Sequence, residues 1–215
     1  MKHFISILIS LAVMIIASCS SDPVFHGMTN QQKEDYAKAV AGEYTGTYTV
    51  VYNDGSSDDT KVIKTEGAQV TITDNTLQSV YFHDFPISRL SLVVKGPALA
   101  EALASHPNID LTATYHFYDL QDNGDVNWGY NDFTIPLTLH IGDADRHLLL
   151  KVSNASIYYL LTKENLDAGM PFANQGYFEL RFDGIYEGST LIEDFSLWQD
   201  RNAVFLVLFK IDNKG

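Results

Sequence analysis

Two histidines near the middle of the chain have the spacing of a metal-binding pair. His140 and His147 flank a four-residue reversal, Gly142-Asp143-Ala144-Asp145. On one face of a β-hairpin they would lie opposite each other with their Cβ atoms ~5 Å apart. Two imidazoles and a loop carboxylate could hold a divalent metal. Two such groups on one hairpin are common at surfaces, however, so the sequence favours an exposed pair and predicts no metal and no cofactor.

Acidic side chains within or beside predicted strands could supply a carboxylate pair for hydrolysis. They stand at Asp132, Glu179, Asp183, Glu187 and Glu193. Their alternation with apolar residues is typical of the solvent face of strands. The sequence has no Gly-x-Ser-x-Gly elbow, phosphate-binding loop or dinucleotide fingerprint. We therefore predict no catalytic residues, and a hydrolase with an acidic pair is kept as an alternative.

A short acidic segment resembles the first half of a calcium loop. Asp119 to Gly124 places oxygen-bearing side chains at alternate positions and glycine sixth, but the twelfth position is Tyr130, where such loops need Glu. Since Asn123-Gly124 favours a tight turn between antiparallel strands, we interpret the segment as a hairpin.

Aromatic and polar residues that could bind a ligand follow this hairpin. Trp128 and Tyr130 stand beside Asn131 and Asp132, and flat apolar rings next to amide and carboxylate groups suit a sugar ring or another polar ligand. A turn just before them would place them at the rim of the β structure. The alternative is that the two rings belong to the core. We predict this group as the candidate ligand-binding patch.

The only cysteine lies directly after an apolar segment near the N-terminus. Lys2 and His3 precede an uncharged stretch from Phe4 to Ala17, which has the length of a secretory signal and is short for a bilayer span. The residues before Cys19 are small, and Ile16-Ala17-Ser18-Cys19 resembles the lipobox of bacterial lipoproteins. That resemblance implies a signal peptide over residues 1–18, lipidation of Cys19 and attachment to a membrane; a plain signal peptide and an uncleaved anchor are the alternatives.

The remaining chain is predicted to be one domain over residues 29–215, after a tether over 19–28. Thr29-x-x-Gln32 has the form of a capping box that starts a helix, and Gly42 supplies its stop. Pro97 predicts a second short helix. Alternating and apolar segments predict about nine or ten strands. They are Glu43–Tyr52, Lys61–Thr65, Gln69–Thr73, Leu77–His83, Leu111–Leu120, Trp128–Ile141, His147–Val152, Ile157–Leu161, a strand around Phe178–Phe182, and Ala203–Phe209, which we place centrally.

These elements indicate a mainly β fold, an antiparallel two-sheet sandwich or a calycin-like barrel with one or two short accessory helices. The inward residues of the last two strands should be Phe178, Leu180, Phe182, Phe205, Val207 and Phe209. Of 215 residues, 27 are acidic and 14 basic, for a net charge of -13. This acidity argues against a nucleic-acid partner.

Two motifs resemble known lipoproteins. Glu43-Tyr44-Thr45-Gly46-Thr47-Tyr48 resembles the opening strand of small lipoprotein families from the Bacteroidales, some of them calycin-like, and Asp84-Phe85-Pro86-Ile87-Ser88 adds to the likeness with an uncharacterised family. The expectation is a lipid-anchored protein of the bacterial cell envelope, at the outer membrane. It would be a non-enzymatic binding or assembly module whose partner is a glycan or an envelope protein. A calycin-like carrier of a small apolar ligand is a further alternative.

Overall fold

The structure is a computed structural model that describes residues 25–53, 60–75, 78–153, 159–172, 177–195 and 205–214. The predicted signal peptide and Cys19 lie outside the described residues. In the ranges that are described, no helix has the length and apolar character needed to cross a membrane.

Strands make up most of the described chain, as predicted. They are β1 (Phe25–His26), β2 (Gly42–Tyr52), β3 (Lys61–Ile72), β4 (Ser79–Phe85), β5 (Ile109–Gln121), β6 (Val126–Tyr130), β7 (Phe133–Ile141), β8 (Ala144–Val152), β9 (Tyr159–Leu161), β10 (Tyr177–Glu187), β11 (Thr190–Asp194) and β12 (Phe205–Lys214). The helices are α1 (Asn30–Val40), a 3₁₀ helix (Ile87–Leu92), α2 (Pro97–Ala104) and α3 (Lys163–Asp167).

Local capping explains where the first helices begin. The backbone N–H of Gln32 donates to Thr29 Oγ1 at 3.2 Å and the backbone N–H of Thr29 donates to Gln32 Oε1 at 2.9 Å. This is the predicted capping box. Pro97 occupies the first turn of α2, where its missing N–H costs no hydrogen bond. Both predicted helices are confirmed, whereas α3 and the 3₁₀ helix were not predicted.

The strands form one curled antiparallel sheet with the shape of a half-barrel. Its order is β7-β8-β10-β12-β2-β3-β4-β5-β6-β9, with β1 paired to β5 and β11 paired to β10. Strands β6 and β7 stand near opposite ends of this order, yet only Asn131 and Asp132 separate Tyr130 from Phe133. Three residue steps span at most ~11 Å, so the sheet must curl enough to bring the end of β6 within this distance of the start of β7.

Two strand boundaries differ from the prediction. The segment Trp128–Ile141, predicted as one strand, is divided at Asn131-Asp132 into β6 and β7. The predicted strands Lys61–Thr65 and Gln69–Thr73 are one strand, β3, because a bulge absorbs the interruption. Gly67 adopts φ +71° there, a left-handed conformation that glycine takes without steric cost.

The residues that point into the core are those that the alternation in the sequence predicts. Tyr44, Tyr48, Val50 and Tyr52 of β2 are buried, as are Phe178, Leu180, Phe182, Val207 and Phe209 of β10 and β12. The side chain of Phe205 lies outside the described set. Strand β12 pairs with β10 on one side and β2 on the other, which confirms its central position.

Aromatic rings fill the described interior of the sheet. The Phe178 ring lies 5.0 to 6.4 Å, between centroids, from five other rings. These belong to Phe82, Trp128, Tyr159, Phe172 and Phe209. Contacts of this kind add to the free energy gained from burying apolar area, and they join strands that are distant in sequence.

Candidate functional site

The predicted ligand patch is divided between the core and the surface. Trp128 and Tyr130 are both 0% exposed, whereas Asn131 and Asp132 are exposed on the link between β6 and β7. The division arises because β6 is covered by interior rings, including those of Tyr115 and Phe172 against Trp128. The expectation that the rings of Trp128 and Tyr130 are displayed at the rim is therefore corrected. The two residues alternate along β6 because both belong to the core.

The Tyr130 hydroxyl forms hydrogen bonds inside the sheet. Its hydroxyl lies 3.1 Å from the Tyr159 hydroxyl and donates to the Glu179 carbonyl oxygen. The Tyr159 hydroxyl in turn accepts from the backbone N–H of Glu179 at 2.7 Å. Burial, first of all, raises the pKa of Tyr130. The two tyrosines thus connect β6 and β9 to β10 across the interior.

The two histidines are not directly opposite each other. The reversal is a two-residue turn, Gly142-Asp143, so that His140 pairs with Asp145 and His147 pairs with Thr138. His140 Nδ1 lies 2.9 Å from Asp145 Oδ1, and both side chains are about two-thirds exposed. Gly142 at φ +66° allows this tighter turn. Among the described residues, no group of three or more His, Cys, Asp or Glu side chains is placed to hold a metal ion.

The acidic candidates have separate surroundings. Glu187 forms an ion pair with Arg146, and Glu179 forms one with Arg181. Glu193 is 8% exposed, and its Oε1 accepts from the backbone N–H groups of Lys95 at 3.1 Å and Gly96 at 3.0 Å.

Asp183 is the acidic candidate with a shifted pKa. Burial raises the pKa of its carboxyl, the charges of Asp132 and Asp194 raise it further, and Lys151 opposes them. The charges of Asp132 and Asp194 thus act on the Asp183 carboxyl.

The segment that resembles a calcium loop is a hairpin turn between β5 and β6. The backbone N–H of Gly124 donates to the Gln121 carbonyl at 2.9 Å. Asn123 Oδ1 accepts from the backbone N–H of Asp125 at 3.0 Å, and Asp125 Oδ1 accepts from the backbone N–H of Lys163 at 2.9 Å. Its polar groups thus bond to the protein's own backbone, which agrees with the interpretation as a turn.

Beside this turn, helices α1 and α3 line an open groove of about 250 Å³. Its walls are Asp35, Tyr36 and Ala39 of α1 and Lys163, Leu166 and Asp167 of α3. We call this cavity the helix groove.

Contacts with the β5–β6 turn hold the helix groove in shape. The Tyr36 hydroxyl donates to the Gly124 carbonyl at 3.2 Å. Gly124 has φ +87°, a conformation that favours glycine, and a Cβ atom there would lie 2.8 Å from Lys163 Cδ and displace that side chain. Both helices are thereby fixed to the same turn.

Charges in the helix groove are arranged for hydrogen bonding. Lys163 Nζ donates to Asp167, which raises the pKa of the Lys163 amine. Gln31 Nε2 donates to Asp35 Oδ1 at 3.0 Å. Burial raises the pKa of Tyr36, and nearby Lys163 opposes this effect. Carboxylates, an ammonium group and a phenol beside Ala39 and Leu166 can bind a small polar group by its hydrogen-bonding edge and its apolar face.

The sequence reasoning missed this groove, although a signal for α3 was present. Thr162 is an N-cap whose side chain accepts from the backbone N–H of Asn165, and Lys163 and Asp167 follow at the spacing of an i,i+4 pair. Five residues are too few for an apolar stripe to reveal a helix.

Comparison with protein families gives one match. Residues 39–177 match a family described as Domain of unknown function (DUF4840). The chain belongs to this family. Comparisons with curated proteins and with solved structures found no match.

The family match covers the end of α1 and continues to the first residue of β10. It leaves out β10 and β12, the strands that join β8 to β2 in the sheet. The family segment therefore contains both ends of the sheet and lacks its connecting strands.

Proposed function

We propose that this protein is a lipoprotein of the bacterial cell envelope, anchored at the outer membrane through Cys19. Its mainly β domain would act as a non-enzymatic binding module, with the helix groove as its binding site. The observation that carries the proposal is the pairing of β1, six residues after Cys19, with the end of β5 beside the helix groove.

Backbone pairing ties the start of the domain to the helix groove. Phe25 of β1 pairs with Gln121 at the end of β5. The backbone N–H of Gln121 donates to the Asp125 carbonyl at 2.8 Å, and Asp125 also contacts Lys163. Cys19 stands six residues before Phe25, a reach of at most ~22 Å. A lipid on Cys19 would therefore hold the helix groove close to the membrane surface.

The size of the helix groove suits a small ligand. Typical small-molecule pockets have volumes of ~300–1,000 Å³, and the helix groove is slightly smaller, at about 250 Å³. Its mixture of carboxylate, ammonium and phenol groups with apolar side chains matches the hydroxyl groups and apolar face of a single sugar ring. We infer that a glycan is its ligand.

The interior of the sheet supports binding at the surface in preference to carriage of an apolar ligand. Trp128, Tyr130, Phe178 and Phe182 are fully buried and large, and they occupy the space that a calycin-like carrier would need. We propose further that the sheet is a barrel, because its hydrogen-bonded order is continuous from β7 to β9 and a two-residue link joins β6 to β7.

The anchor is tested by Cys19→Ala in the full chain expressed in its own bacterial envelope. We expect the wild-type protein in the membrane fraction that needs detergent for release, and the variant in the soluble fraction. A variant that still needs detergent would contradict lipid anchoring at Cys19.

The helix groove is tested by glycan binding to purified protein. Asp167→Asn removes a charge that lines the groove, and Glu164→Gln removes one from an exposed residue of the same helix that does not line it. We expect Asp167→Asn to weaken binding to a glycan identified on an array at least tenfold, and Glu164→Gln to change it less than twofold. Equal effects of the two variants, or an array without a binding glycan, would reject the groove as a glycan site.

A further inference from the structure

A row of apolar side chains crosses the outer face of four neighbouring strands. Pro136 of β7 pairs with Leu149 of β8, Leu149 pairs with Tyr186 of β10, and Tyr186 pairs with Leu191 of β11. Directly paired residues project to the same face with Cβ atoms ~4.5–5.5 Å apart. The row therefore extends over ~14 Å, three strand spacings. We call these four residues the outer row.

The outer row is accessible to solvent. Leu149 is 37% and Leu191 42% exposed, Pro136 is exposed and Tyr186 is half-buried. The alternation of β8 would normally place polar residues at such positions, as it does at His147 and Lys151. Apolar side chains that are aligned on neighbouring strands form a continuous patch, and continuous exposed patches mark interaction surfaces more often than scattered ones do.

Neighbouring residues fix the positions of two side chains in the outer row. A Cβ atom on Gly184 would lie 2.7 Å from Leu191 Cδ1 and 2.4 Å from the Glu193 carbonyl oxygen. The absence of a side chain at Gly184 therefore leaves room for the Leu191 side chain. Lys151 Nζ lies 5.8 Å from the centroid of the Tyr186 ring, a cation–π distance that holds the ring in place.

Three carboxylates lie along one side of the outer row. Phe133, Val152 and Phe182 are paired across β7, β8 and β10. Asp132 precedes the first of these residues and Asp183 follows the last, while Asp194 pairs with Gly184. A same-face step along a strand is ~7 Å, so Asp194 stands one step from the row, and Asp132, four residues before Pro136, stands about two steps from it. The electrostatic influence of Asp132, Asp194 and Lys151 on Asp183 agrees with this placement.

We propose that the outer row and these three carboxylates form a docking surface for a basic protein segment. An apolar side chain of the partner would lie on Leu149, Tyr186 and Leu191. Lys or Arg side chains one or two same-face steps away would pair with Asp132, Asp183 and Asp194. The site is distinct from the helix groove and does not depend on the ligand proposed there.

Charge complementarity indicates which class of partner binds this docking surface. Of the charged groups that act on Asp183, Asp132 and Asp194 are acidic and Lys151 is basic, and the whole chain carries a net charge of -13. A second copy would bring the same acidic surface, and anionic lipids would be repelled for the same reason. A basic protein surface gains both apolar contact and charge pairing.

The experiment uses the mature chain, residues 19–215, with Cys19→Ala so that no lipid is attached. The probes are fluorescein-labelled twelve-residue peptides of alternating Lys-Leu, Lys-Ser and Glu-Leu, and the readout is Kd by fluorescence anisotropy at low and high salt. Leu149→Ser and Asp194→Asn alter the surface. Val62→Ser, at a residue of β3 that is 55% exposed, and Asp143→Asn, in the exposed β7–β8 turn, are matched controls.

We expect the Lys-Leu peptide to bind at least tenfold more tightly than the other two, and more weakly at high salt. Leu149→Ser and Asp194→Asn should each weaken its binding at least fivefold, while both controls stay within twofold. A variant whose thermal midpoint falls is replaced by Leu149→Thr or by Asp132→Asn.

Three results would overturn the proposal: equal loss in the control variants, equally tight binding of the Glu-Leu peptide, or no binding of the Lys-Leu peptide. Binding of glycans that is lost in Leu149→Ser, without peptide binding, would also overturn it in favour of a sugar site. All of these proteins carry the same Cys19→Ala change, and none of the surface variants alters a residue of the helix groove. A negative result here therefore leaves the lipid anchor and the helix groove to be decided by their own experiments.

Discussion

Glu193 Oε1 lies 3.0 Å from the backbone nitrogen of Gly96, the N-cap residue of α2. The same oxygen accepts from Lys95 N–H, and the side chain is buried. Gly96 has no side chain to cap its own helix, and the Glu193 carboxylate of β11 binds the two backbone N–H groups directly before the first helical residue, Pro97. An acid that the sequence offered as a catalytic candidate therefore positions α2, near β7.

Removal of this carboxylate should destabilise the domain. Glu193→Ala leaves two N–H groups without their acceptor, and we expect a loss of about 1–3 kcal/mol in the free energy of unfolding by urea. Glu187→Gln, which breaks the partly exposed ion pair with Arg146, is the control and should lose less stability than Glu193→Ala, because solvent screens exposed ion pairs. The account of Glu193 is wrong if the two variants lose the same amount.

Alkaline pH should destabilise the protein through its buried tyrosines. Burial raises the pKa of Tyr44, Tyr48, Tyr115 and Tyr130 above the ordinary value of 10. Between that value and the raised pKa, the unfolded chain has released these protons and the folded chain still holds them. Stability is therefore complete below pH 10 and falls as the pH rises above it, by up to ~1.4 kcal/mol per pH unit for each tyrosine.

The measurement is urea unfolding at several pH values between 8 and 11.5. Tyr48→Phe should reduce the slope of the unfolding free energy against pH by the contribution of one tyrosine. The variant also loses the hydrogen bond to the His83 carbonyl, and this loss is the same at every pH. Tyr81→Phe on β4, whose side chain is half-buried, serves as the control. An unchanged slope in Tyr48→Phe would show that this residue titrates normally in the folded protein.

Truncation of Trp128 should affect stability. Trp128→Ala removes a side chain that is 0% exposed and contacts the rings of Tyr115, Tyr159, Phe172 and Phe178, and we expect a loss of ~3–5 kcal/mol. Met170→Ala, at a residue that is 56% exposed, should cost less than ~0.5 kcal/mol. A loss below ~1 kcal/mol for Trp128→Ala on chemical unfolding would contradict the core assignment.

The segment matched by the family should not fold alone. A chain of residues 39–177 lacks β10 and β12, so the β7–β8 hairpin would have no strand to attach it to β2. We expect such a chain to unfold without a cooperative transition, whereas residues 25–215 unfold cooperatively. Cooperative unfolding of the shorter chain, followed by circular dichroism, would disprove the connecting role of these strands.

Local patterns in the sequence predicted most of the secondary structure. Local signals act over a few residues, so they can be recognised without knowledge of the fold. They are the capping residues Thr29 and Gln32, Pro97 at the start of α2, and the alternation along β2 and β10. The prediction that the domain is mainly β is confirmed for the same reason. Lipidation of Cys19 stays a prediction, since it rests on the signal-like segment alone.

Tertiary structure decided which of these residues are near each other. Nothing in the alternation of Trp128 and Tyr130 distinguishes a displayed ring from a buried one; that depends on the curl of the sheet, which brings β10 against β6. The histidine register depended on whether the turn took two residues or four, a choice set by Gly142. The helix groove and the outer row join residues far apart in the chain, and only strand order and register place them together.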